Sequence, residues 1–226
     1  MNKLSVVIPC YNEEVSIKGV IASLPKGVDE IVVVDNNSTD RTAEIAASLG
    51  AVVILEQRQG YGYAMKTGIM NARGDYIVTL DGDGQYPADK IIPILSELQR
   101  NKLDFISANR FPLEQKSMSF TRIFGNWFLT FWTNIIFGLK LKDSQSGMWI
   151  FKRDVLSQIK LVSNDMPVSE EIKIRVAKHP HLTFAEYHIP YHPRGGVSKL
   201  SPIKHGFKNL FFLIKLRLEF LSRKTL

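Results

Sequence analysis

Asp81, Gly82, Asp83, Gly84 and Gln85 follow directly on the apolar run Tyr76 to Leu80. Two carboxylates one residue apart, with glycine between them, can fold around a hard divalent cation such as Mg²⁺ or Mn²⁺, and the glycines let backbone approach a ligand closely. Such a cation, held by few protein oxygens, completes its shell from substrate phosphates, so the ligand implied is a nucleoside diphosphate. The same Asp- and Gly-rich composition also makes plain surface turns, and spacing alone leaves both readings open. Gln59-Gly60-Tyr61-Gly62 could contact phosphate or ribose, but it matches neither the dinucleotide fingerprint nor a P-loop. In Arg194-Gly-Gly-Val-Ser198-Lys199-Leu, two cations and a hydroxyl flank two glycines, a set that can wrap a phosphate or stand as a solvated basic loop. Arg110 and Arg122 join that cluster if the chain brings them there.

The elements that must position these residues alternate. Residues 4–10, 30–36, 51–57, 75–81 and 104–110 are short apolar runs rich in β-branched residues, as expected of strands covered on both faces. Helical patterns fall between them at 14–24, 38–50, 63–72 and 90–100. This rhythm predicts an α/β domain with a mainly parallel central sheet flanked by helices. In such sheets ligands bind beyond the carboxyl ends of the strands. Tyr11, Asn12 and Glu13, then Asp35 and Asn36, then the Gln59 loop, then Asp81 to Gln85, then Asn109 and Arg110 all fall at those ends. The second half is less regular: an aromatic-rich helix over 120–139, a loop Lys142 to Phe151, a helix over 168–178 and a strand over 182–192.

Composition narrows the class further. The single cysteine, Cys10, excludes an internal disulfide and reads as a small core residue in a reducing, cytoplasmic setting. The five histidines show no metal-ligand spacing. The net charge of +7 resides wholly in residues 194–226, which hold eight Lys/Arg against Glu219, while the other residues balance 21 against 21. Within that tail, Phe207, Leu210, Phe211, Ile214, Leu218 and Leu221 share one helical face among lysines and arginines. The pattern is that of a basic amphipathic helix on an anionic membrane surface, and a helix packed on its own domain gives the same stripe. We therefore divide the chain into a domain over 1–200 and a membrane-surface helix over 201–226, peripheral at the cytosolic face. Nucleic acid is not expected as a partner, because the basic charge is confined to the tail and interleaved with apolar residues.

Taken in order, VVIPCYNEE, VVVDNNSTDRT, GYGYAMKTGI, DGDGQYPAD, ANRF, DSQSGMWIF and RGGVSKL resemble the family-2 glycosyltransferases, in particular the dolichyl-phosphate mannose and glucose synthases and their polyprenyl-phosphate relatives. The resemblance spans about residue 4 to residue 215. It implies a GT-A fold and an inverting, metal-dependent transfer from a nucleotide-diphosphate sugar such as GDP-mannose or UDP-glucose to a polyprenyl or dolichyl phosphate. By position, Pro9, Tyr11, Glu13 and Asp35 would line the nucleoside pocket, with Gly60 and Gly62 nearby. Asp81 and Asp83 would form the DxD motif, with Gln85 joining the metal and diphosphate site. Arg110, Arg122, Arg194, Ser198 and Lys199 would meet phosphates, and Asp143 and Gln145 would face the reaction centre. Asn36 departs from the family's usual acid after Asp35. The chain has no predicted spanning helix, which leaves room for a membrane-protein partner subunit.

Displacement at an anomeric carbon passes through an oxocarbenium-like state, and a departing diphosphate gathers negative charge that a metal and cationic side chains stabilise. A hydroxyl acceptor needs a general base, for which Asp143 is the candidate. A phosphate monoester, with a second pKa of about 6, is mostly dianionic at neutral pH and needs none. The alternatives are a family-2 enzyme with a saccharide hydroxyl acceptor, and a non-catalytic module that binds anionic lipid through the tail.

Overall fold

The computed structural model describes residues 2–194 and 202–222, the latter with side chains from residue 206 onward. Seven strands form one sheet: β1 Leu4–Cys10, β2 Glu30–Asp35, β3 Val52–Leu55, β4 Tyr76–Thr79, β5 Phe105–Asn109, β6 Trp149–Lys152 and β7 Phe184–His188. The α-helices are α1 Ile17–Ala22, α2 Thr42–Ser48, α3 Tyr61–Asn71, α4 Ile91–Arg100, α5 Phe120–Phe137, α6 Val155–Gln158, α7 Val168–Ala177 and α8 Pro202–Ser222. The sheet order is β3-β2-β1-β4-β6-β5-β7. All neighbouring pairs run parallel except those made by β6, which is antiparallel to both β4 and β5.

β1 is buried over its whole length because alternate residues serve two cores. Leu4, Val6 and Ile8 pack with α1, α2 and α4 on one face, while Val7 packs with Ala64, Met65 and Ile69 of α3 and Val168, Ile172 and Val176 of α7 on the other. The crossovers from β1 lead outward to β2 and β3, and the chain then returns to place β4 on the opposite side of β1. That reversal opens a crevice between the carboxyl ends of β1 and β4.

Two sequence expectations are corrected, and one of the two readings of α8 is met. Lys142 to Phe151, read as a loop, ends in β6, which separates β4 from β5. Four residues after a polar turn carry too little periodicity to announce a strand. β6 is nonetheless well fixed, since Thr79 Oγ1 accepts a bond from Trp149 N (2.9 Å) and donates to Gly147 O (2.6 Å). β3 is an edge strand with Val52 and Leu55 exposed, so the 51–57 run is not covered on both faces. Finally, α8 is docked on the domain. Leu213 and Leu216 are buried with Phe137 of α5 and Ile174 of α7, and Arg175 pairs with Glu219 at 3.0 Å.

Candidate active site

A cleft of about 770 Å³ lies over the carboxyl ends of β1 and β4. Its floor depends on Gly82, where a Cβ would stand 2.6 Å from Cys10 Sγ, so only glycine lets the end of β4 lie against the end of β1. Asp81 and Asp83 line the floor together with Gln85. Tyr61 donates its hydroxyl to Asp81 Oδ1 at 2.8 Å. Burial, reinforced by the charge of Asp83, pushes Asp81 up to about 7. Asp83 Oδ1 accepts from the backbone of Gln85 (3.0 Å), and its Oδ2 accepts from Arg194 Nη1 (2.9 Å). Arg194 also donates to Glu13. The oxygen donors of Asp81, Asp83 and Gln85 suit Mg²⁺ or Mn²⁺ in kind. Among the described residues no group of three or more acidic, His or Cys side chains is placed to hold a metal, so such an ion would draw further ligands from phosphate oxygens.

Beside the end of β1, Pro9, Tyr11, Glu13 and Gly60, four of the residues expected at the nucleoside pocket, line the cleft. Asp35 and Gly62 do not. Asp35 is buried at the end of β2 with Oδ1 accepting from Ser38 N at 3.0 Å. Gly62 serves packing: a Cβ there would meet the backbone of Asn164 at 2.5 Å, so α3 and the loop ahead of α7 touch backbone to backbone. Asn36, which departs from the family's acid, does line the cleft and is fully used. Its Nδ2 donates to the carbonyls of Glu56 (3.0 Å) and Arg58 (2.8 Å), and its Oδ1 accepts from Gly60 N (2.8 Å). A carboxylate could not donate to those two carbonyls, so the amide is what holds the loop between β3 and α3 in place.

The opposite wall corrects the place given to Asp143. Its carboxylate is fully buried, does not line the cleft, and is gripped by Arg110 through Nε (2.7 Å), Nη2 (2.9 Å) and the backbone N–H (3.2 Å). Burial would raise its pKa, but the charge and hydrogen bonds of Arg110 more than reverse this and hold it below the usual range. Asp143 therefore aims Arg110, which does line the cleft, and has no oxygen left to face a reaction centre. Gln145 lines the cleft and donates to Glu170 Oε2 (2.8 Å) while accepting from Asn209 Nδ2 of α8 (2.7 Å). Beneath it, Lys173 Nζ donates to the carbonyls of Asp143 (3.0 Å) and Ser146 (2.8 Å). Burial lowers Lys173 to about 7 and raises Glu170 to about 8.

Sequence reasoning missed Tyr61, Tyr86, Glu170, Lys173 and Asn209. Tyr61 and Tyr86 sit inside GYGY and DGDGQYP, among the acids and glycines that dominate the chemistry of those motifs; Tyr86 accepts from Gly147 N at 2.6 Å and so ties β6 to the floor. The signal for Glu170 and Lys173 was the polar run SEEIKIR inside a helix, every residue of which is buried. Asn209 has none in the sequence. Ser198 and Lys199 lie outside the described residues.

The mouth of the cleft is mainly apolar, with Arg122 as its charged residue. Arg122, Phe124, Phe128 and Leu129 of α5 and Phe207 and Leu210 of α8 line it. Beyond the mouth, α5 exposes Phe120, Phe124, Trp127 and Phe131, and neighbouring α8 exposes Phe207, Phe211, Ile214 and Leu218, with Phe207 and Phe211 each 72% accessible. α5 rings follow in series, Phe124 tilted against Trp127 at 6.0 Å and Trp127 stacked on Phe131 at 5.6 Å. Phe207, Phe211, Ile214, Leu218 and Leu221 of the expected stripe of α8 face outward while Leu213 and Leu216 dock inward on the domain. No helix among the described residues is long and apolar enough to cross a membrane.

This architecture is that of a GT-A-type glycosyltransferase domain. Glucosyl-3-phosphoglycerate synthase from Mycobacterium tuberculosis in complex with UDP superposes with a TM-score of 0.73 at 21% identity, covering 96% of this chain and 80% of that one. The same enzyme with Mn²⁺, UDP-glucose and phosphoglyceric acid gives 0.72 at 22% identity, covering 96% and 80%. The chain belongs to glycosyl transferase family 2, which matches residues 5–160. A dolichyl-phosphate hexose transferase of Haloferax volcanii is 33% identical over 219 residues, 96% of this chain and 94% of that protein. A low-salt glycan biosynthesis hexosyltransferase of the same organism is also 33% identical over 219 residues, 93% of this chain, but the chain spans only 53% of its length.

Proposed function

We propose that the protein transfers a hexose, with inversion, from a nucleotide-diphosphate sugar to a polyprenyl phosphate of dolichyl type, at the cytosolic surface of a membrane. One observation carries this reading: a single cleft has an acidic, oxygen-rich floor at Asp81, Asp83 and Gln85 and an apolar mouth formed by α5 and α8. The floor suits a metal-bound diphosphate, and the mouth suits an isoprenoid chain. The exposed apolar faces of the two helices would lie on the membrane, with or without a partner subunit.

Pro9, Tyr11, Glu13 and Gly60 would hold the nucleoside, and Asp81, Asp83 and Gln85 would hold Mg²⁺ or Mn²⁺. Bound there, the metal would offset the charge that gathers on the departing diphosphate. Arg110, aimed by Asp143, and Arg122 at the mouth would orient the phosphates of donor and acceptor, with Arg194, Ser198 and Lys199 proposed beside them. Gln145 would meet the sugar. The buried, doubly bonded Asp143 favours a phosphate acceptor over a saccharide hydroxyl: a dianionic phosphate can attack without a base, whereas a hydroxyl would need one.

The test is incubation of the protein with vesicles containing polyprenyl phosphate, Mg²⁺ or Mn²⁺, and labelled GDP-mannose, UDP-glucose and related donors. A β-linked, lipid-extractable sugar phosphate is expected from an α-linked donor. Phe211→Ser should reduce vesicle binding and lipid product about tenfold or more while leaving donor hydrolysis intact, given roughly 1.5–3 kcal/mol for withdrawing one large apolar side chain from water. Donor hydrolysis with no lipid product would refute the acceptor assignment.

A further inference from the structure

Arg194 and Arg110 are two arginines at one cleft, and they hold their acids in different ways. Arg110 presents the Nε/Nη2 fork to a single carboxylate, the geometry of a permanent tie. Arg194 divides its terminal nitrogens between two carboxylates from different strand ends, Asp83 beyond β4 and Glu13 beyond β1. Its Nε is buried with no hydrogen-bond partner. Asp83 and Glu13 are themselves largely buried, at 7% and 12% side-chain exposure, and Asp81 adds a third acid beside them. Three acids gathered at one sheet edge repel one another, and the Arg194 guanidinium is the cation that spans two of them.

We infer that Arg194 is an internal counter-ion that competes with the divalent metal for Asp83, so that the metal binds together with a diphosphate and only weakly before it. This rests on the donor-site reading above and adds an order to it. A metal arriving alone would meet two floor carboxylates, one already engaged by Arg194, and no set of three acidic side chains placed to hold it among the described residues. A metal arriving with a diphosphate brings oxygen ligands of its own, and the diphosphate also offers the guanidinium a new anionic partner. Arg194 would then exchange Asp83 for phosphate while keeping Glu13, and Asp83 would be released to the metal. The unused Nε–H is a donor ready for a phosphate oxygen. Coupling of this kind is reciprocal: whatever the diphosphate does for metal affinity, the metal does equally for diphosphate affinity.

The experiment is Mn²⁺ titration followed by electron paramagnetic resonance, in which bound Mn²⁺ loses the signal of the free ion, so that no turnover is involved. It is run on wild type, Arg194→Gln and the charge-preserving Arg194→Lys, each with Mn²⁺ alone, with pyrophosphate, and with UDP or GDP. Wild type should bind Mn²⁺ alone weakly and gain at least about tenfold when pyrophosphate or nucleotide is added, within the usual 5- to 150-fold range of site coupling. Arg194→Gln should bind Mn²⁺ alone about tenfold more tightly than wild type and gain less from the diphosphate, while Arg194→Lys stays near wild type. Circular dichroism and a melting curve establish that each variant is folded; if Arg194→Gln is not, Arg194→Met, which also removes the charge, takes its place with the same expected outcome. Equal Mn²⁺ affinity in folded wild type and Arg194→Gln, or tight Mn²⁺ binding by wild type without any diphosphate, overturns the counter-ion role and leaves the donor site standing. Absence of Mn²⁺ binding under every condition overturns the donor-site reading itself.

Discussion

Replacing Asp143 by Asn separates a positioning role from a catalytic one. The side chains of Arg110 and Asp143 are 7% and 0% exposed and share two short hydrogen bonds, at 2.7 and 2.9 Å. The substitution Asp143→Asn would keep the volume but remove the charge, and the new amide would turn one donor toward a guanidinium that has only donors. Leaving one member of a buried pair unpaired costs about 3–5 kcal/mol. In a chain of this size each kcal/mol moves Tm by about 2–4 °C, so Asp143→Asn should melt roughly 6–20 °C below wild type. The double variant Arg110→Met/Asp143→Leu should recover much of that loss, because apolar groups of similar volume often replace a buried pair at little cost. Urea denaturation of wild type, Arg110→Met, Asp143→Leu and the double variant measures the coupling. The pH dependence has a definite sign as well. A carboxylate held below its unfolded value contributes stability that is complete above about pH 4 and is lost as pH falls through the folded value, so the gap between wild type and Asp143→Asn should close in acid. An Asp143→Asn protein with wild-type urea midpoint and no turnover would refute this reasoning and return Asp143 to the reaction centre.

Two further outcomes follow from single groups. Asn36→Asp removes two donations to the carbonyls of Glu56 and Arg58 and places a carboxylate against them; stability should fall by about 1–3 kcal/mol, and nucleoside diphosphate binding, followed by calorimetry, should weaken with it. Glu170, raised by burial to about 8, binds its proton more tightly folded than unfolded, so its contribution to stability declines as pH rises from about 4.3 toward 8. Glu170→Gln has no proton to lose, and its Tm relative to wild type should rise steadily between pH 5 and about 8.5; a constant difference across that range would show that Glu170 titrates normally.

Most of the seven motifs were legible because they sit at strand ends, and strand ends are announced by local chemistry: a β-branched run followed by glycines and acids. That gave β1, β2, β4 and β5, and with them Pro9, Tyr11, Glu13, Asp81, Asp83, Gln85 and Arg110 on one cleft. Local pattern failed where a residue's role depends on what another segment does. DSQSG offered Asp143 as an acid to face the reaction, because sequence does not show that Arg110, 33 positions earlier, covers both its oxygens. Gly62 read as a ligand-facing glycine, but it is small to admit the backbone at Asn164. Lys173 and Glu170 are charged residues in a helix, ordinarily a solvated face, and only burial of α7 beneath Asp143 and Gln145 reveals them as supports of the site.

The alternating α/β order, the acidic strand-end chemistry, the basic tail and the amphipathic stripe of α8 are written along the chain, since they follow from propensity, periodicity and composition. Tertiary structure alone decided that β6 enters antiparallel between β4 and β5, that α8 docks one face and exposes the other beside α5, and that Arg194 reaches Asp83 and Glu13 across the sheet edge. The physical reason is sequence separation. A strand pair, a helix face or an ion pair between residues far apart along the chain is set by how the whole core closes, and no local preference of either residue encodes its partner.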